Sequence, residues 1–171
     1  GIHLDFAPVL DVNNNPRNPI INVRSFGEDP KLVAEMGTSA IRGYQENGLL
    51  ATAKHFPGHG NTSADSHSKL GTIEASASQF ESVELFPFRE VFRRAEPAAI
   101  MTAHLWAKSV DTDTIPATIS KNAITSLLRE RMKFNGLIVT DAMIMGGITN
   151  LLTPGDATVR AIQAGCDVIL W

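Results

Sequence analysis

Residues 54–67 read KHFPGHGNTSADSH, which puts three of the chain's five histidines beside a lysine and an aspartate. Asp65 and His67 lie two apart in a loop rich in Ser, Thr and Asn. That is close enough for the carboxylate to hold one imidazole nitrogen and raise the basicity of the other, an acid/base unit. A solvated loop histidine with an unrelated neighbour would read the same way. His55 and His59 have the four-residue spacing of many helical metal pairs, but Pro57 and Gly58 between them break the helix that would bring the rings together. No metal and no cofactor are therefore expected, and a metal-dependent hydrolase using His55, His59 and His67 stands as an alternative. Asp141 closes the apolar run GLIVT. A carboxylate there is fixed by rigid backbone and aimed into the mouth of the fold, as a nucleophile must be, although the same residue would also serve as a loop cap.

Five apolar runs must position these groups: residues 4–12, 49–54, 98–104, 136–141 and 166–171. Their apolarity is continuous rather than alternating, which suits strands covered on both faces, and each is followed by a polar loop and a helical pattern. Asp29 and Pro30 begin a helix with a stripe of Leu32, Val33, Met36 and Ala40, ending by Gly48. Ser78 and Glu81 match a capping box, with Pro87 kinking or restarting that helix. Ser120 caps a helix through Met132, and Thr153 with Pro154 starts the last one, which ends near Gly165. Long loops, 13–28, 55–77, 105–119 and 142–152, follow the strands, where α/β proteins keep their sites. Asp11, Lys54, His55, His104 and Asp141 all stand at strand ends and share one rim if the strands are parallel. Five strands do not close an eight-stranded barrel, so the pattern fits an open sheet or part of a barrel.

Composition narrows the partners. A net charge of -3 without a dense Lys/Arg run argues against nucleic acid, and no apolar stretch approaches the roughly 18 residues of a membrane span. Hydrophobic residues at 43% suffice for a core, and the single cysteine, Cys166, permits no internal disulfide. The first ten residues carry no basic segment or cleavage site, so no signal peptide is expected there.

KHFPGHG, then NTSA and DSH, together with NVRSFGEDP, AIMTAH and LIVTDAM, strongly resemble the β-N-acetylglucosaminidases of glycoside hydrolase family 3. The resemblance runs through essentially all 171 residues in the family's order. It implies an α/β fold, a (β/α)8 TIM barrel of which this chain covers about five central units, and a retaining, exo-acting enzyme. That enzyme would release terminal β-linked N-acetylglucosamine from cell-wall fragments or chitin oligosaccharides. Carried over by position, Asp141 is the nucleophile, His67 the general acid/base and Asp65 its partner, while Arg24, Lys54 and His55 bind the sugar. His104 lines the pocket and His59 shapes the loop. A histidine in place of the usual protonated carboxyl repels an incoming anion less, which keeps phosphorolysis as an alternative, beside an inactive sugar-binding fragment. The resemblance also shows departures. Earlier strands that carry a sugar-gripping Asp and Arg have no counterpart, the last strand is absent, and SKLGTI lacks a proline that commonly follows the leucine. The expected partner is a carbohydrate, with no nucleic acid and no membrane. Exposed sheet edges imply a need for missing barrel segments or self-association. Cell-wall recycling favours the cytoplasm, with export left open.

Overall fold

Helix starts are the most local feature of this sequence, and the computed structural model, which describes residues 1–63 and 65–171, forms them where their caps stand. In α1 (Pro30–Glu46) the Asp29 carboxylate accepts from Lys31 N at 2.9 Å and proline occupies the first turn. In α4 (Pro154–Ala164) the Thr153 hydroxyl accepts from Asp156 N, and Gly165 ends the helix at φ 111°, a conformation costly for any residue with a Cβ. The buried face of α1 is Val33, Ala34, Gly37, Thr38 and Ile41. Leu32 and Met36, expected on that face, are instead exposed, because the stripe is set one position further along.

Strands β1 (Leu4–Asp5), β2 (Leu50–Phe56), β4 (Ala99–Thr102) and β6 (Leu137–Val139) form one parallel sheet in the order β1-β2-β4-β6. The first and last apolar runs are less regular than expected. Pro8 has no N–H to give, so beyond β1 the chain keeps alongside β2 through single bonds: Thr52 N to Ala7 O, Lys54 N to Pro8 O, and Leu10 N to Lys54 O. The run 166–171 forms no regular strand; it runs beside β6 through a parallel bridge, Val139 with Val168, and through backbone bonds such as Thr140 N to Val168 O. Two short strands lie where loops were expected. β3 (Gly71–Ile73) pairs in parallel with β5 (Leu105–Ala107), so the position after Leu70 opens a strand.

The expected capping box of Ser78 and Glu81 is a correction. Ser76 and Gln79 make the box at the start of α2 (Ala77–Gln79), since Glu81 is engaged by Arg89 and Arg131. The helix continues as a π-helical segment (Phe80–Glu84), and Pro87 restarts it as α3 (Phe86–Arg94). Ser120 caps a second π-helical segment (Asn122–Arg131) through Ala123 N at 2.9 Å. α1 packs on α3, and both cover the sheet through Leu10, Phe56, Phe88, Val91 and Ile100; Phe56 meets Phe88 edge-on at 5.5 Å. No described helix is long and apolar enough to cross a membrane. The parallel order leaves the carboxyl ends of β2, β4 and β6 on one rim.

Candidate active site

Asp11, wholly buried at that rim, organises the loop that follows β2. Its Oδ1 accepts from His55 N at 3.2 Å and His59 N at 2.7 Å, and its Oδ2 accepts from His55 Nδ1 at 2.7 Å. Burial alone would raise this carboxyl's pKa; the charges and hydrogen bonds of His55 and His59 outweigh it and hold the pKa below the usual value. With Nδ1–H spent on Asp11, His55 Nε2 is an acceptor, and Arg24 Nη2 lies 3.3 Å from it. Asp11 thus sets the tautomer of one expected sugar-binding residue and, through it, the aim of another.

His59 is 1% exposed and has both ring nitrogens occupied, Nδ1 by the Thr62 hydroxyl at 2.7 Å and Nε2 by the Ser66 hydroxyl at 2.9 Å. Burial lowers its pKa, while the Asp11 charge pulls the other way. Asn18 Nδ2 donates to His59 O and Gly60 O, and a Cβ on Gly60 would stand 1.7 Å from Val12 O, so only glycine lets the loop lie this close to the first run.

Beyond this anchored half the loop turns outward. His67, with a side chain 59% exposed, faces Asp65, whose Oδ1 lies 2.8 Å from both His67 Nδ1 and His67 N. The slight burial of Asp65 pushes its pKa up, but these bonds from His67 outweigh it and hold the carboxylate ionised. Asp141 follows β6: its N–H donates to Thr102 O at 3.2 Å, and its Oδ1 accepts from Ala142 N at 2.8 Å, leaving Oδ2 for chemistry. Asp141, His67, Arg24, Lys54 and His55 line one hollow of about 170 Å³. Burial, then the Arg24 charge, lowers the Lys54 pKa, while Asp141, Asp11 and Asp5 pull it back up.

His104 is a correction. The expectation has it lining the pocket; its ring is wholly buried and outside the hollow. Nε2 donates to Ala142 O at 3.0 Å and Nδ1 accepts from the Thr118 hydroxyl at 2.9 Å, so no ring nitrogen is left for a ligand. Burial lowers its pKa. It holds the backbone beside Asp141 instead. His55, His59 and His67 of the metal alternative all border the hollow, but His59 has both ring nitrogens engaged, and among the described residues no three His, Cys, Asp or Glu groups are placed to hold an ion. A larger hollow of about 890 Å³ lies on the helical exterior, where Glu81 pairs with Arg89 and Arg131, and Glu90 with Arg93.

Sequence reasoning places Asp11 on the rim without a role, and passes over Ser66. The signal for Asp11 is the one used for Asp141, a carboxylate closing an apolar run.

Residues 1–171 match the family described as the glycosyl hydrolase family 3 N terminal domain. The chain belongs to this family. It is 39% identical to beta-hexosaminidase A of Pseudoalteromonas piscicida over 99% of its own length and 30% of that protein's. The family 3 β-N-acetylglucosaminidase structure from Paenibacillus sp. str. FPU-7 superposes with a TM-score of 0.96 at 46% identity, covering 99% of this chain and 32% of that one. The β-glucoside phosphorylase BglX superposes with a TM-score of 0.95 at 32% identity, covering 100% of this chain and 32% of that one. The chain thus spans about a third of the length of these proteins. Family membership settles the architecture that the strand count leaves open: the parallel sheet is part of a TIM barrel.

Proposed function

We propose that the protein carrying this chain is a retaining, exo-acting β-N-acetylglucosaminidase. Its substrates would be terminal β-linked N-acetylglucosamine on cell-wall fragments or chitin oligosaccharides. The observation that carries the reading is the single small hollow shared by Asp141, His67 and the cations Arg24 and Lys54. At about 170 Å³ it is below the roughly 300–1,000 Å³ of drug-sized pockets and suits one terminal sugar. The names of the relatives support the substrate class.

In the first step Asp141 Oδ2 attacks the anomeric carbon while His67 Nε2–H protonates the departing oxygen; the Asp65 carboxylate on Nδ1 holds the ring's orientation. In the second, neutral Nε2 takes a proton from the water that displaces Asp141, and the sugar leaves with retained configuration. Arg24, His55 Nε2 and Lys54 supply donors and an acceptor to the sugar hydroxyls. His104 and Asp11 hold these groups from behind.

The test is chromophore release from an aryl β-N-acetylglucosaminide by the complete gene product. Asp141→Asn is expected to lose at least about 10³-fold in kcat, with a chelator without effect. Undiminished turnover by Asp141→Asn overturns the reading. A second reading, phosphorolysis, is favoured by the likeness to BglX and by the neutral imidazole facing the incoming nucleophile. Sugar 1-phosphate as the product in phosphate buffer selects it; free sugar at an unchanged rate rejects it.

A further inference from the structure

The loop that carries the dyad is held at three successive carbonyls by the segment that follows the nucleophile. Gly147 N donates to Ser66 O at 3.0 Å, Gly146 N to His67 O at 2.8 Å, and Asn150 Nδ2 to Ser68 O at 2.9 Å. The approach is too close for side chains. A Cβ on Gly146 would stand 2.5 Å from Ser68 O, and one on Gly147 would stand 2.8 Å from Ser66 O and 2.9 Å from His104 Cβ. The segment is itself fixed: Ile148 is wholly buried, Met143 N donates to Leu170 O at 2.9 Å, and His104 holds Ala142 O. Asp141 and the three donors therefore belong to one short anchored stretch, while His67 is exposed on its other sides.

We infer that Gly146, Gly147 and Asn150 form the seat on which the acid/base loop docks, and that this seat aims His67 at the bond Asp141 attacks. They are positioning residues, acting through backbone carbonyls, and the inference rests on the roles of His67 and Asp141 given above. Proton transfer tolerates little displacement, about 1 Å being enough to cost around 10²-fold. A methyl at either glycine lifts the loop and moves the imidazole with it, without touching the nucleophile.

Leaving-group dependence reads this role and no general structural one. Dinitrophenol departs without a proton, whereas phenol needs the acid. In the complete gene product, Gly146→Ala, Gly147→Ala and Asn150→Ala are compared on dinitrophenyl and phenyl β-N-acetylglucosaminides. The expected result is a loss of about 10- to 100-fold in kcat/KM on the phenyl substrate, with the dinitrophenyl substrate within about threefold of the parent. Equal losses on both substrates, or none on either, overturn the inference. Asn150→Ala changes only an exposed side chain, so it keeps the test decisive if a glycine variant does not fold. His67→Ala, measured beside them, separates the two ideas. If it shows no split, the acid/base reading falls and the seat with it; if it alone shows the split, only the seat is wrong.

Discussion

Asp11 and Asp141 each close an apolar run, and their surroundings give them different work. The bonds that the Asp11 carboxylate accepts come from His55 at the end of β2 and from His59 in the loop after it, so its charge is consumed in holding these two residues, whereas Asp141 keeps Oδ2 free. Asp11→Asn puts an amide donor against N–H groups that need an acceptor. The expected result is a loss of about 2–4 kcal/mol in denaturant unfolding and a rise in KM as His55 and Arg24 lose their aim. A variant with parent stability and KM would show that Asp11 has no such role. The folded pKa of Asp11 is depressed from 3.8, so its stabilisation is complete above that value and is lost as pH falls through the lower folded value. The contact between Asp65 and His67 is legible in the sequence because two residues of spacing confine both partners to one loop. The burial of His104 is not, since a strand end does not say whether the ring turns toward the hollow or toward Thr118.

Helix ends are legible where the cap is a side chain next to its own helix, as at Asp29 and Thr153, and misread where a distant partner competes, as Arg89 and Arg131 do for Glu81. The strands β3 and β5 escape notice because three residues show no period, and their pairing joins segments about thirty residues apart. The π-helical segment Phe80–Glu84 carries a further consequence. Glu84, 1% exposed, points at Gly58, and neither of its oxygens has a hydrogen bond of ordinary geometry. Burial and then the charge of Asp11 push its pKa up to about 7, with the nearby Asn14 amide pulling the other way. A carboxyl raised from 4.5 to about 7 leaves stability complete below 4.5 and erodes it as pH rises toward 7, by about 3 kcal/mol in all. Glu84→Gln, compared with the parent in denaturant unfolding between pH 5 and 8, is expected to flatten that decline. Parallel pH profiles would contradict the assignment.

Across the whole molecule, the alternation of strand and helix is readable from apolar runs, but closure is not, because an open sheet and a barrel segment share the same local pattern. The sheet ends at β1 on one side and at the Val168 bridge on the other, with Ile2, Val168 and Trp171 exposed. Unpaired edges beside apolar surface favour association. We therefore propose that residues 1–171 alone self-associate in sedimentation and melt over a broad range, whereas the complete gene product melts cooperatively. A monomeric, sharply melting 171-residue chain would refute this. The claim on which the rest depends is a single covalent bond, between the anomeric carbon and Asp141. Mass spectrometry of the complete gene product after treatment with 5-fluoro-N-acetylglucosaminyl fluoride, which slows breakdown of the intermediate, tests it most directly. One added glycosyl mass is expected on the peptide containing Asp141, absent in Asp141→Asn. An adduct on another carboxylate, or product of inverted configuration with no adduct, would contradict it.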